Sequence, residues 1–180
     1  MRIAICTLAV SLIFSASANA GPPESGFVLT LPGFTPVDGH AMLVRTPNGV
    51  HLNISTTELD SSAVYTVWWV LLPSSTGEGE FCVMWATGHP IGPNGTGNFA
   101  ASLNEGEPWP FDEPSIENEG AGPCAGLVNA QTQPILAVMR THGPIIPEIV
   151  YEQMSTYLGG CVDDETDPNF CEDQQIIIFE

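Results

Sequence analysis

The chain has no lysine, and its three arginines include one at position 2. A protein this poor in cations cannot neutralise phosphate, so nucleic acids and anionic membrane surfaces are excluded as direct partners. Long hydrophobic runs are also missing. Beyond residue 20 no stretch approaches the roughly 20 apolar residues of a membrane-spanning helix, and no membrane span is expected. Signature motifs are absent too: there is no His-x-His, G-x-S-x-G, H-E-x-x-H, P-loop or dinucleotide fingerprint, which removes the enzyme classes built on them. Nor do any two cysteines show the C-x₂₋₄-C spacing of a structural zinc site.

The beginning of the chain carries an address. Arg2, an apolar run from Ile3 to Phe14 and the small-residue ending Ala18-Asn19-Ala20 compose a secretory signal peptide over 1–20, with cleavage expected before Gly21. A secreted or periplasmic protein follows, with 21–180 as one domain. Cys6 leaves with the signal, and four cysteines remain, an even number in an oxidising compartment. They read as two disulfides. Three pairings are open; Cys161 with Cys171 is preferred because it closes a short acidic loop, leaving Cys82 with Cys124. After cleavage two arginines face 21 carboxylates, a net charge of −19. That charge suits divalent cations, cationic polymers or a salty medium, or it serves only solubility through mutual repulsion.

The strongest structural signal is Ala63 to Leu72, AVYTVWWVLL, followed by Pro73. It is apolar on both period-two faces and rich in β-branched and aromatic residues, which predicts a strand covered on both sides, the central strand of the domain. Around it, strands are predicted at Phe27–Leu31, Ala41–Thr46, Val50–Thr56, Phe81–Thr87, Asn98–Leu103, Pro134–Arg140 and Gln174–Phe179. Pro47-Asn48-Gly49 marks a hairpin between the second and third, and Gly21–Gly26 reads as a mobile leader. Gly88–Gly97 reads as a turn cluster. Pro147–Leu158 is the one predicted helix, with Pro147 at its first position and Gly159-Gly160 stopping it. About eight strands with one short late helix indicate a mainly β fold, a single antiparallel β-sandwich of Greek-key or Ig-like type.

Three candidate sites emerge. His89 and His142 follow predicted strand ends in Gly/Pro-rich loops; if those loops meet, the two histidines and a nearby carboxylate would hold Zn²⁺ or Cu²⁺. Otherwise each histidine hydrogen-bonds its own loop. Asp163, Glu165 and Asp167 have the one-three-five spacing of a Ca²⁺ loop, although Pro168 replaces the glycine of an EF-hand and the alternative is a solvated acidic loop. Trp109 and Phe111, flanked by prolines within the long acidic stretch Asn104–Cys124, would present a rigid surface to a glycan or protein partner, or pin that stretch to the core. Arg45 and Arg140, the two remaining cations, are expected to form fixed ion pairs between strand and loop.

AVYTVWWV at Ala63–Val70, GHPIGPNGTGNFAASL at Gly88–Leu103 and RTHGPIIPEIVYEQMSTYLGGC at Arg140–Cys161 resemble segments of a family of exported bacterial proteins with no established activity. The resemblance implies secretion and a single β-domain. A looser similarity links the chain to Greek-key sandwiches of the superoxide dismutase and CHRD type. Their metal sites use a His-x-His that this sequence lacks. The expectation is a secreted, acidic, disulfide-stapled β-sandwich acting as a binding or structural surface module. The alternative is a metal-binding protein or metal-dependent enzyme using His89 and His142.

Overall fold

The computed structural model describes residues 20–73, 82–107 and 126–179. Nine strands and one helix follow in order: β1 (Glu24–Gly26), β2 (Leu29–Thr30), β3 (His40–Thr46), β4 (Gly49–Thr56), β5 (Ala63–Leu71), β6 (Cys82–Pro90), β7 (Gly97–Asn104), β8 (Ile135–Pro144), α1 (Val150–Ser155) and β9 (Glu172–Phe179). They form two antiparallel sheets, β1-β3-β4-β7 and β2-β9-β8-β5-β6. Alternating residues of both sheets meet in one core, among them Leu43, Leu52 and Phe99 from the first and Tyr65, Trp69, Met139 and Ile177 from the second. This is a β-sandwich, as the alternation requires when one face of each sheet is apolar.

β5 is covered on both faces, as its composition demands. Ala63, Tyr65, Val67, Trp69 and Leu71 enter the core, while Val64, Thr66 and Trp68 are buried on the outer face, where α1 packs across β5 and β6. It lies one strand in from the edge, and β8 takes the middle of the sheet. The Ile176–Phe179 run of β9 pairs along its length with β8, whereas β2 reaches only Gln175 and Ile176 on its other side, so the run expected to be paired inside the sheet is flanked on both sides only at Ile176.

Besides the central place expected for β5, which β8 takes, four expectations change. The predicted first strand is two: β1 belongs to the four-stranded sheet and β2 to the other, with Val28 fully buried where the chain crosses. The leader is tied down, since β1 pairs with β3 and the Gly21 amide donates to the Arg45 carbonyl at 2.8 Å. β6 continues through Gly88, His89 and Pro90, because β5 still supplies a pairing partner there. The helix shrinks to Val150–Ser155: Ile149 at its N-cap has no side-chain acceptor, and Thr156 is already extended. Its inward side chain is Gln153, fully buried, which donates to the carbonyls of His142 and Pro144 and accepts from the Ile146 amide.

Both arginines form ion pairs, but each pair joins two strands, β3 to β1 and β8 to β9, where a strand-to-loop bridge was expected. Arg45 Nε lies 2.5 Å from Glu24 Oε1, and its Nη1 donates to the Ala130 and Gln133 carbonyls at 2.9 Å each. Arg140 Nη1 meets Asp173 Oδ1 at 3.0 Å.

Candidate functional site

On the outer face of the five-stranded sheet, under α1 and the tail that follows it, polar and aromatic groups are packed together. The Arg140 guanidinium stacks 4.2 Å over the Tyr157 ring, and that ring meets Trp68 edge-on at 5.2 Å. His142 sits beside them, fully buried. Its Nδ1 is 2.9 Å from the Gly159 carbonyl and its Nε2 is 2.9 Å from Thr66 Oγ1. Trp68 Nε1, a donor only, gives its proton to Thr66 Oγ1 at 2.7 Å, which leaves the threonine hydroxyl proton for His142 Nε2. A carbonyl can only accept, so Nδ1 carries the ring proton. His142 is therefore neutral, and burial lowers its pKa to about 4, assisted by the positive charge of Arg140 and opposed by the Gly159 carbonyl.

Over the same ring lies the Cys161–Cys171 disulfide, the pairing preferred from sequence. Both sulfurs approach His142 Nδ1, Cys161 Sγ at 3.8 Å and Cys171 Sγ at 3.7 Å. Among the described residues, His142, Cys161 and Cys171 are the one group of His, Cys, Asp or Glu side chains whose ligand atoms converge within 4.8 Å. β8 supplies the histidine, and the tail supplies the cysteines on either side of the acidic loop.

The pair expected to share a metal is divided. His89 pairs with Tyr65 in register, which places it on the core side of the sheet, where its ring lies 4.4 Å from that of Phe99. Its nitrogens face the Pro90 and Asn98 carbonyls at 2.9 and 2.8 Å. His142 bonds Thr66 and so lies on the opposite face. The two loops imagined from the sequence are strand interiors, and strand alternation separates their side chains.

Of the tail acids, Glu165 and Asp167 line a cleft of about 490 Å³ together with Asp60, Glu172 and Gln174, whereas Asp163 does not reach it. Two of its lining residues are tied to buried Tyr65, whose hydroxyl bonds Gln174 Oε1 and accepts from the Asp60 amide at 3.0 Å; burial pushes the Tyr65 pKa up. The loop's own turns occupy several of its oxygens. Asp164 Oδ1 accepts from the amide and hydroxyl of Thr166, which lowers its pKa, and Asp167 Oδ1 accepts from the Asn169 amide at 2.8 Å. Trp109, Phe111 and Cys124 lie outside the described residues; Cys82 is disulfide-bonded.

A feature that the sequence reading passed over is the outer face of the four-stranded sheet. Its registers form a grid: His40, Ser55 and Asn98 in one row, Met42, Asn53 and Ala100 in the next, Val44, His51 and Ser102 in the third. All nine are exposed or half-buried. None is Asp, Glu, Lys or Arg, in a chain with 21 acids. His51 Nδ1 and Ser102 Oγ are 2.8 Å apart across two strands, and a shallow depression of about 300 Å³ lies over His40, Met42, Asn53 and Asn98. The polar alternation His51, Asn53, Ser55 is the part of this signal present in the sequence; the neighbouring strands complete it.

Comparison with family models, with curated proteins and with solved structures yields no match for this chain. Among the described residues no helix is long and apolar enough to cross a membrane.

Proposed function

We propose that this chain is an exported, disulfide-stapled binding module whose ligand surface is the outer face of the β1-β3-β4-β7 sheet, and whose ligand is a neutral carbohydrate polymer. The observation that carries this reading is the absence of charge from that grid. Elsewhere the surface is strongly acidic and repels anionic polymers. On the grid, Asn53, Asn98, Ser55, Ser102, His40 and His51 offer donors and acceptors to hydroxyl groups, while Met42, Val44 and Ala100 offer apolar contact for the faces of sugar rings. Export rests on the signal-peptide pattern at 1–20 and on the resemblance to exported proteins, and the Cys161–Cys171 disulfide agrees with an oxidising compartment.

Affinity electrophoresis of the mature protein through gels containing a β-glucan, a galactomannan or a soluble cellulose derivative tests the reading. The wild type is expected to be retarded by at least one of them, and the double variant Asn53→Asp/Asn98→Asp to run unretarded with an unchanged melting temperature. Normal mobility of the wild type in every gel, or retardation that survives the double substitution, would overturn it.

A further inference from the structure

The sulfur atoms above His142 have a second use. We infer that reduction of the Cys161–Cys171 disulfide opens a Cys₂His metal site, in which the two thiolates and His142 Nδ1 bind a soft or borderline divalent cation such as Zn²⁺. This site is independent of the carbohydrate surface, which lies on the other sheet.

Three observations carry it. The ligand atoms already converge within 4.8 Å, and Nδ1 sits almost equidistant from both sulfurs, at 3.7 and 3.8 Å. Cysteine and histidine are the preferred ligands of Zn²⁺, with metal–sulfur distances near 2.3 Å and metal–nitrogen distances of about 2.0–2.1 Å. One ion is reached by these three atoms with sulfur movements on the order of 1 Å, once the Gly159 carbonyl, which lies 2.9 Å from Nδ1 and accepts its proton, swings out of the nitrogen's lone-pair direction. Finally, the far side of the ring is held. Thr66 Oγ1 bonds Nε2 and fixes the imidazole as an outer-shell partner fixes a metal-bound histidine.

The chemistry balances. A dithiol reductant exchanges with the disulfide, becoming a disulfide itself and leaving Cys161 and Cys171 as thiols. Binding of the cation releases the two thiol protons. His142 changes tautomer without changing charge: its proton moves from Nδ1 to Nε2, which then donates to Thr66 Oγ1, and the Thr66 hydroxyl turns its own proton away. The Gly159 carbonyl loses its Nδ1–H donor and turns away from the nitrogen as the ion enters. In the oxidised protein the sulfurs are bonded to each other and the site is closed, so redox state gates metal binding.

Co²⁺ serves as a spectroscopic probe for Zn²⁺. The mature protein, reduced with a phosphine and freed of reductant under anaerobic conditions, is expected to bind one Co²⁺ with the intense visible bands of a tetrahedral thiolate site, displaceable by Zn²⁺. The untreated disulfide form is expected to show none. His142→Gln should weaken Co²⁺ binding at least tenfold, and Thr66→Val by about tenfold, the usual cost of losing an outer-shell partner. The double variant Cys161→Ser/Cys171→Ser controls for the disulfide at Cys82, and near-ultraviolet circular dichroism reports whether the reduced chain stays folded. Tetrahedral bands that persist in that double variant, affinity indifferent to His142→Gln, or reduced protein that binds no Co²⁺, folded or unfolded, would each overturn the inference.

Discussion

Thr66 on β5 and His142 on β8 share a 2.9 Å hydrogen bond on the outer face of the sheet, and the proton in it belongs to the threonine. In this arrangement His142 accepts at Nε2 and is neutral; protonation would make Nε2 a donor and force the Thr66 hydroxyl to turn its own proton away. An unfolded histidine takes up a proton near pH 6.5, whereas buried His142 in the disulfide form does so near pH 4. Between these values the unfolded chain binds more protons than the folded one, so stability falls as pH falls through that window and levels off below it. The loss amounts to roughly 3 kcal/mol at most. Urea unfolding from pH 7 to pH 4 is expected to show this slope in the wild type and to lack that component in His142→Asn. Parallel profiles for the two proteins would contradict the neutral, buried histidine.

Arg45 holds one end of the sandwich together. Its guanidinium joins Glu24 of β1 to the carbonyls of Ala130 and Gln133, which precede β8. Arg45→Ala leaves those carbonyls and the carboxylate without their donor and should cost about 3 kcal/mol, in the range for breaking a buried pair. Glu24 is a third exposed, so water takes over part of its role and Glu24→Gln should cost nearer 1 kcal/mol. Lysine cannot span three acceptors in a fork, and Arg45→Lys is expected to recover less than half of the loss. Chemical denaturation of the three variants checks the order.

Gly88 sets how closely α1 approaches the sheet. A Cβ at that position would lie 2.2 Å from the Met154 carbonyl oxygen, the same oxygen that accepts from Trp85 Nε1 at 3.0 Å. Gly88→Ala must push the helix outward, at a cost of about 1–3 kcal/mol by the usual penalty of overpacking. Hydrogen exchange should then show faster exchange across Val150–Ser155 and unchanged protection in the β3–β4 hairpin. Undiminished protection of the helix would show that α1 is not seated on this glycine.

Strands and their faces were legible in the sequence because period-two alternation is a local property. Val50, Leu52 and Ile54 against His51, Asn53 and Ser55 announce β4 and its wet side without reference to any other segment, and the two-sided apolar character of Ala63–Leu72 announces a covered strand. The nearby cysteines Cys161 and Cys171 could also be paired from the chain alone, since only a short loop separates them. The helix was less legible. The predicted span Pro147–Leu158, read from its start and stop signals, gave no sign that the fully buried inward residue would be Gln153, which satisfies carbonyls at the end of β8.

Sequence by itself thus determined the mainly β character, the acidity and the hairpin, and singled out the tail disulfide from three open pairings, all of which follow from composition, alternation and short separations. Tertiary structure decided which side chains meet. His89 and His142 looked alike along the chain, yet the register of β6 and β8 on β5 sends them to opposite faces. Register likewise assembles the uncharged grid from three strands that each contribute every second residue. The same rule brings His142 under two sulfurs carried by a distant loop. Such meetings depend on strand order and pairing, which long-range burial fixes and no local spacing records.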